Sequence, residues 1–139
     1  MKKDDYDWKQ FLSFSEKLYA DTFWKDDPAT KYRIILSRSY YAAFHCAQDF
    51  LQEYHLQNPD IHDSEHRCVI RNLKMMKRKT SDFQRACKKI GLNLDRLREK
   101  RAQADYRADW SFKDADAQNG ILQSHKIISG IDALKEMLK

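Results

Sequence analysis

The sequence predicts an all-α fold: an antiparallel helical bundle of about five helices. Only three glycines and two prolines punctuate 139 residues, too few turn formers for an all-β or α/β chain. Apolar residues recur at helical spacing in long stretches, and the breaks between those stretches are short, which favours antiparallel neighbours.

The first helix is expected from about Asp5 to Asp21, where Trp8, Phe11, Leu12, Ser15, Leu18 and Tyr19 share a face. Phe23, Trp24 and Asp26-Asp27-Pro28 make the turn, with Pro28 suited to the first turn of the next helix. The second helix, about Ala29 to His55, is the most apolar and covers more than one face, so it is the central element. Its Ala42-Ala43 pair permits close approach of another helix, and Gln57-Asn58-Pro59-Asp60 ends it. A third helix is expected from Asp63 or Ser64 to about Lys79. Ser81 with Gln84 forms a candidate capping box for a fourth, which extends to about Ala108 with a bend or break at Gly91. Ser111 with Asp114 opens the fifth, whose stripe of Ile121, Ile128, Ile131, Leu134 and Leu138 faces the core.

Composition narrows the function. The length is that of a single domain, residues 1–139, able to bury a core without disulfide or metal. Charged residues make up 34% and hydrophobic ones 42%, and no apolar run approaches the roughly 20 residues that span a bilayer. The beginning, Met1-Lys2-Lys3-Asp4-Asp5, lacks the apolar stretch of a signal peptide. Cys46, Cys68 and Cys87 are odd in number and widely spaced, as expected of reduced thiols in a cytoplasmic protein. Net charge is +5, but Arg67 to Arg101 holds 13 Lys or Arg against three acids, so this window is +10 and the remainder −5. Such a segment suits a polyanion, RNA first, and equally suits a solvated helix face. Lys74, Lys77, Arg78, Lys79, Arg85, Lys88 and Lys89 bracket one inter-helix turn and are the candidate phosphate contacts.

Two segments carry chemistry. In Ser37-Arg38-Ser39-Tyr40-Tyr41-Ala42-Ala43-Phe44-His45, a helix places Arg38, Tyr41 and His45 on one face. A buried Arg there needs an anion or a solvent-filled cleft. In Arg98 to Tyr106, Arg101 and Asp105 are spaced i, i+4. If the second and fourth helices pack together, Asp105 is the natural counter-ion of Arg38. That pair then fixes register, or Arg38, His45 and Arg101 line a phosphate-binding cleft.

Ser37 to His45, the later His66, and Arg101 to Tyr106 in the pattern R-x-x-A-D-Y, followed by one last amphipathic helix, together resemble the HEPN domain family. The likeness is strongest to its small stand-alone UPF0332 branch, and it runs from about Trp8 to Leu138. The resemblance implies a helical bundle, usually dimeric, with its cleft at the two-fold axis. It also implies a place in prokaryotic defence or toxin–antitoxin systems. Many relatives are metal-independent ribonucleases carrying an Arg followed, after four to six residues, by a His. Imidazole can exchange the protons of the 2′-hydroxyl and leaving oxygen, and Arg can brace the phosphate. This sequence has Tyr106, Arg107 and Ala108 at those positions after Arg101, and no His.

His45, Arg38 and Arg101 are therefore the catalytic candidates, supported by Tyr41, Asp105, Tyr106 and His66. Some relatives pair with a nucleotidyltransferase that modifies a tyrosine, for which Tyr106 is the matching position. His62 and His66 have an H-x-x-x-H spacing near Cys68, but the Glu of a zinc protease motif is misplaced. No metal and no cofactor is expected, and no glycine-rich phosphate loop or G-x-S-x-G is present.

Overall fold

The computed structural model describes residues 5–22 and 26–139. Met1 to Asp4 and the turn residues Phe23 and Trp24 lie outside the described residues. Five helices are formed: α1 (Lys9–Ala20), α2 (Pro28–Glu53), α3 (Glu65–Lys74), α4 (Ser81–Tyr106) and α5 (Asp114–Met137). Helix α2 is central, as its apolar character requires, and packs against α1, α3, α4 and α5. Its Tyr40, Ala43, Phe44, Ala47, Phe50 and Leu51 meet Leu73 of α3, Leu94 of α4 and Ile131 of α5 in one core. Ala42 and Ala43 are both fully buried; Ala42 packs with Leu12 of α1 and Ile128 of α5. The close approach they permit is thus made within the chain.

Local chemistry sets the helix ends, several of which differ from expectation. Helix α1 begins at Lys9 rather than Asp5, because the Asp7 carboxylate accepts from the Lys9 amide at 3.1 Å. Asp27 caps α2 by accepting from Thr30 N at 3.2 Å, with Pro28 at the first helical position. The helix stops at Glu53, before the Asn-Pro break. His55 turns left-handed (φ 53°) and Leu56 N bonds back to Leu51 O at 2.9 Å. Helix α3 ends at Lys74, five residues early, with Met75 as its C-cap, and a left-handed Lys79 (φ 69°) lies in the turn before α4. Thr80, not Ser81, caps α4 by accepting from Phe83 N at 3.1 Å. For α5, Asp116 accepts from Lys113 N at 2.8 Å, the carboxylate half of a capping box, and Ser111 takes no part.

Gly91 does not interrupt α4, which runs unbroken through it. Its missing side chain serves packing instead: a Cβ there would lie 3.1 Å from Leu73 Cβ and from Lys74 N. The α3–α4 contact is tied at its edge by Lys74, whose ammonium donates to Asp95 at 2.9 Å.

The end of α4 is held by a residue that periodicity did not single out. The Arg33 guanidinium of α2 donates to the carbonyls of Ala104 (2.8 Å), Arg107 (2.9 Å), Trp110 (2.6 Å) and, more weakly, Gln103 (3.4 Å). It also lies 5.3 Å over the Phe112 ring. One cation thus answers the unpaired carbonyls of a helix C-terminus and fastens the α4–α5 connection.

Candidate functional site

The α2–α4 contact brings the two chemistry-bearing segments together. Arg101 is buried, with 7% of its surface exposed. Its guanidinium carbon sits 5.2 Å from the Tyr40 ring centre, 5.5 Å from Tyr41 and 5.8 Å from Tyr106. Nη1 reaches Asp105 at 3.5 Å, and the buried Nε has no hydrogen-bond partner. A long ion pair and an unanswered N–H leave this cation only partly satisfied. The electron-rich ring faces supply the rest of its stabilisation.

An imidazole stands beside it. His66 Nδ1 shares a 2.6 Å hydrogen bond with the Tyr40 hydroxyl, and its ring stacks on Phe44 at 4.2 Å. Tyr41 links this group to a second imidazole, its ring being 5.7 Å from His66 and 6.0 Å from His45. His45 in turn stacks on Trp8 at 3.7 Å, nearly parallel. Burial lowers the pKa of both histidines, and the Arg101 charge lowers that of His66 further. Burial raises that of the Tyr40 phenol, against the opposing pull of Arg101. Near neutrality the face thus offers two uncharged imidazoles beside a fixed guanidinium. One imidazole nitrogen can accept a proton and the guanidinium can bind an anion.

Arg38 does not join this group. Its side chain is exposed and lies 5.2 Å over the Phe11 ring of α1. The Arg38–Asp105 ion pair expected from the sequence is not formed: Asp105 accepts from Ser37 at 3.4 Å and faces Arg101. The guanidinium, imidazole and carboxylate that do share one face are Arg101, His66 and Asp105. Tyr106 ends α4 with 76% of its surface exposed. Sequence reasoning missed Tyr40, Trp8 and Ser37 as contributors. The doubled Tyr40-Tyr41 inside an apolar helix was the available signal for the first.

The basic turn is less free than its composition implies. Lys74 is paired with Asp95, Arg85 with Asp82, and Arg78 donates to the His55 carbonyl. Lys77, Lys79, Lys88 and Lys89 are exposed and carry no ion pair among the described residues. The H-x-x-x-H segment is committed to other bonds: His66 to Tyr40, and the Cys68 thiol to the Asp63 carbonyl at 3.2 Å. Among the described residues no group of three or more His, Cys, Asp or Glu is arranged to hold a metal ion. The Cys46 thiol is pushed up to about 11 by burial and Cys87 to about 12, so neither is an activated nucleophile.

These features define a class: a basic all-helical bundle carrying an arginine, imidazole and phenol cluster where two of its long helices cross. The particular family follows from comparison. The HEPN domain family model matches residues 20–134, from the end of α1 through most of α5, and the chain belongs to that family. No curated protein and no solved structure shows a match. Membership carries a nucleotide- or RNA-related role in general, and HEPN domains commonly dimerise. Among the described residues no helix is long and apolar enough to cross a membrane.

Proposed function

We propose that the chain is a cytoplasmic HEPN protein of the stand-alone UPF0332-like branch, forming one unit over residues 1–139. In this reading it serves a prokaryotic defence or toxin–antitoxin system and binds RNA or a nucleotide where two copies meet across the α2–α4 face. The carrying observation is Arg101: a buried guanidinium with an unpartnered Nε, ringed by Tyr40, Tyr41 and Tyr106. A phosphate answers the guanidinium charge that Asp105, at 3.5 Å, leaves only partly neutralised. The bases can stack on the exposed Tyr106. Lys77, Lys79, Lys88 and Lys89 extend the positive field for a longer strand.

The test is binding of a labelled single-stranded RNA in EDTA, followed by gel shift across a salt series. Tyr106→Ala is expected to weaken binding about tenfold, as loss of one stacked base does. Neutralising the four lysines is expected to flatten the salt dependence. Binding that ignores both changes refutes the reading.

The two uncharged imidazoles favour a second reading, a metal-independent endoribonuclease, with His45 or His66 exchanging the proton and Arg101 holding the phosphate. Cleavage in EDTA that disappears in His45→Ala or His66→Ala supports it. It stands second because Tyr106 replaces the His of the R-x4-6-H motif. The exposure of Tyr106 favours a third, a noncatalytic module modified by a nucleotidyltransferase partner. Its sign is a mass increase on Tyr106 after co-expression with that enzyme.

A further inference from the structure

Away from the α2–α4 face, α4 and α5 leave a groove between them. Seven residues connect these helices, so they run antiparallel along its two sides. The groove holds a cavity of about 740 Å³. It continues past Asn93, Arg96 and Gln123 into a second cavity of about 330 Å³. From Ala86 to Lys100 this length of α4 spans about 21 Å, close to four helical turns.

The floor is apolar, formed by Ile90, Ile127 and Leu134. Ala86, Gly130 and Ala133 keep it shallow-sided, and Gly130 is so close to Ile90 that a Cβ would lie 3.1 Å from its side chain. Small residues at this spacing admit a third helix at close range. The rim is cationic. Lys89 and Arg96 stand two turns apart on α4, Lys100 one turn further, and Lys126 faces them from α5. No Asp or Glu lines the larger cavity, Glu99 is the one acid lining the smaller, and none of these four cations carries an ion pair among the described residues.

We propose that this groove docks an acidic amphipathic helix from a partner protein, its apolar stripe on the floor and its carboxylates against the rim. The charge pattern selects the occupant. A second copy docked groove to groove would bring the same cations against the rim. RNA would meet an aliphatic floor with no Phe, Tyr or Trp among its lining, and the one imidazole there, His125, is engaged by Glu16 at 3.2 Å. A helix with anchors at i, i+3 or i+4 and i+7, flanked by Glu, matches both surfaces.

The probe is a fluorescein-labelled peptide of about 18 residues, helical, with Leu and Ala on one stripe and Glu on both flanks. Fluorescence anisotropy with the full chain measures binding. A peptide with Lys in place of Glu is the control. The acidic peptide is expected to bind and the basic one not. Charge reversal in Lys89→Glu/Arg96→Glu/Lys126→Glu should weaken binding at least about tenfold, as loss of about 1.4 kcal/mol does. Ala133 is exposed, so Ala133→Trp fills the groove without entering the core and should do the same, with unchanged circular dichroism. Failure of the acidic peptide to bind, or equal binding to wild type and both variants, overturns the proposal. So does a change in sedimenting mass caused by Ala133→Trp, which would assign the groove to a second copy. An RNA oligonucleotide that still displaces the peptide from a variant with Tyr106→Ala and with Lys77, Lys79 and Lys88 neutralised, in which the proposed RNA face is disabled, would likewise overturn it.

Discussion

Replacing Arg33 by Met removes the guanidinium while keeping an unbranched apolar stem, and its cost can be worked from the contacts. Three bonds are well formed, to the carbonyls of Ala104, Arg107 and Trp110, and the fourth, to Gln103, is long. Charged donors contribute about 1.5–3 kcal/mol per hydrogen bond in protected settings. Two of these bonds are exposed, however, so water recovers much of their value. About 1 kcal/mol for each good bond, plus about 0.5 for the cation at a helix C-terminus, predicts a loss of about 3–4 kcal/mol. For a chain of this length that lowers Tm by roughly 10 °C. Thermal melts followed by far-UV circular dichroism read it directly, and Arg33→Lys should fall between, since an ammonium cannot span four carbonyls at once. A loss below about 0.5 kcal/mol for Arg33→Met would refute the reasoning, because a surface residue away from such contacts costs no more than that.

Gly91→Leu should prise α3 from α4, because even a Cβ meets Leu73 and the Lys74 backbone at 3.1 Å. A loss of about 3 kcal/mol is expected from overpacking, read from the shift in urea midpoint, and a neutral result would show that α3 can move aside. Stability should also depend on pH through His45 and His66. Their folded pKa values lie below the unfolded 6.5. Above 6.5 both states are neutral and the contribution is complete. As pH falls below 6.5 the unfolded chain takes up protons first, so stability drops until the folded imidazoles also titrate. Urea midpoints between about pH 7.5 and 5 should therefore decline, and His66→Gln should reduce the slope. A flat profile would show that both rings are charged freely in the folded state.

Helix number, the central place of α2 and the inward stripe of α5 could be read from periodicity, because burial of an apolar face is a property of spacing. The i, i+4 spacing of Arg101 and Asp105 was legible for the same reason, although the sequence pointed to Arg38 as the counter-ion of Asp105. What periodicity does not carry is the rotation of one helix against another. Arg38 and Ser37 differ by about 100° around α2, and it is Ser37, Tyr40 and Tyr41 that face α4 while Arg38 turns to Phe11. That phase follows from packing of all five helices. Arg33 was illegible on other grounds: its partners are backbone carbonyls 70 residues or more away. Carbonyls have no sequence signature, so only the chain path reveals that α4 ends within reach of α2.

Arg101 allows the structural and functional roles of one residue to be separated. If its task is to hold α2 against α4, the grip is its ring contacts with Tyr40 and Tyr41, because Asp105 lies on α4 with it. The Asp105 contact is 3.5 Å and Nε is unpartnered, so the polar contacts return little for the desolvation suffered, and an apolar stem of similar length keeps the packing on the Tyr40 and Tyr41 rings. Replacing a buried ion-pair member by an apolar side chain of similar length is often neutral where the remaining partner can be rehydrated. Asp105 is exposed and keeps Ser37. Arg101→Met should therefore change the unfolding free energy by less than about 1 kcal/mol in either direction. Its RNA affinity should nevertheless fall at least tenfold, about 1.4 kcal/mol. Denaturant titration and gel shift on the same preparation decide the matter. A loss of about 3 kcal/mol or more with RNA affinity intact would make Arg101 a register-setting contact between α2 and α4 and remove the anion site from that face.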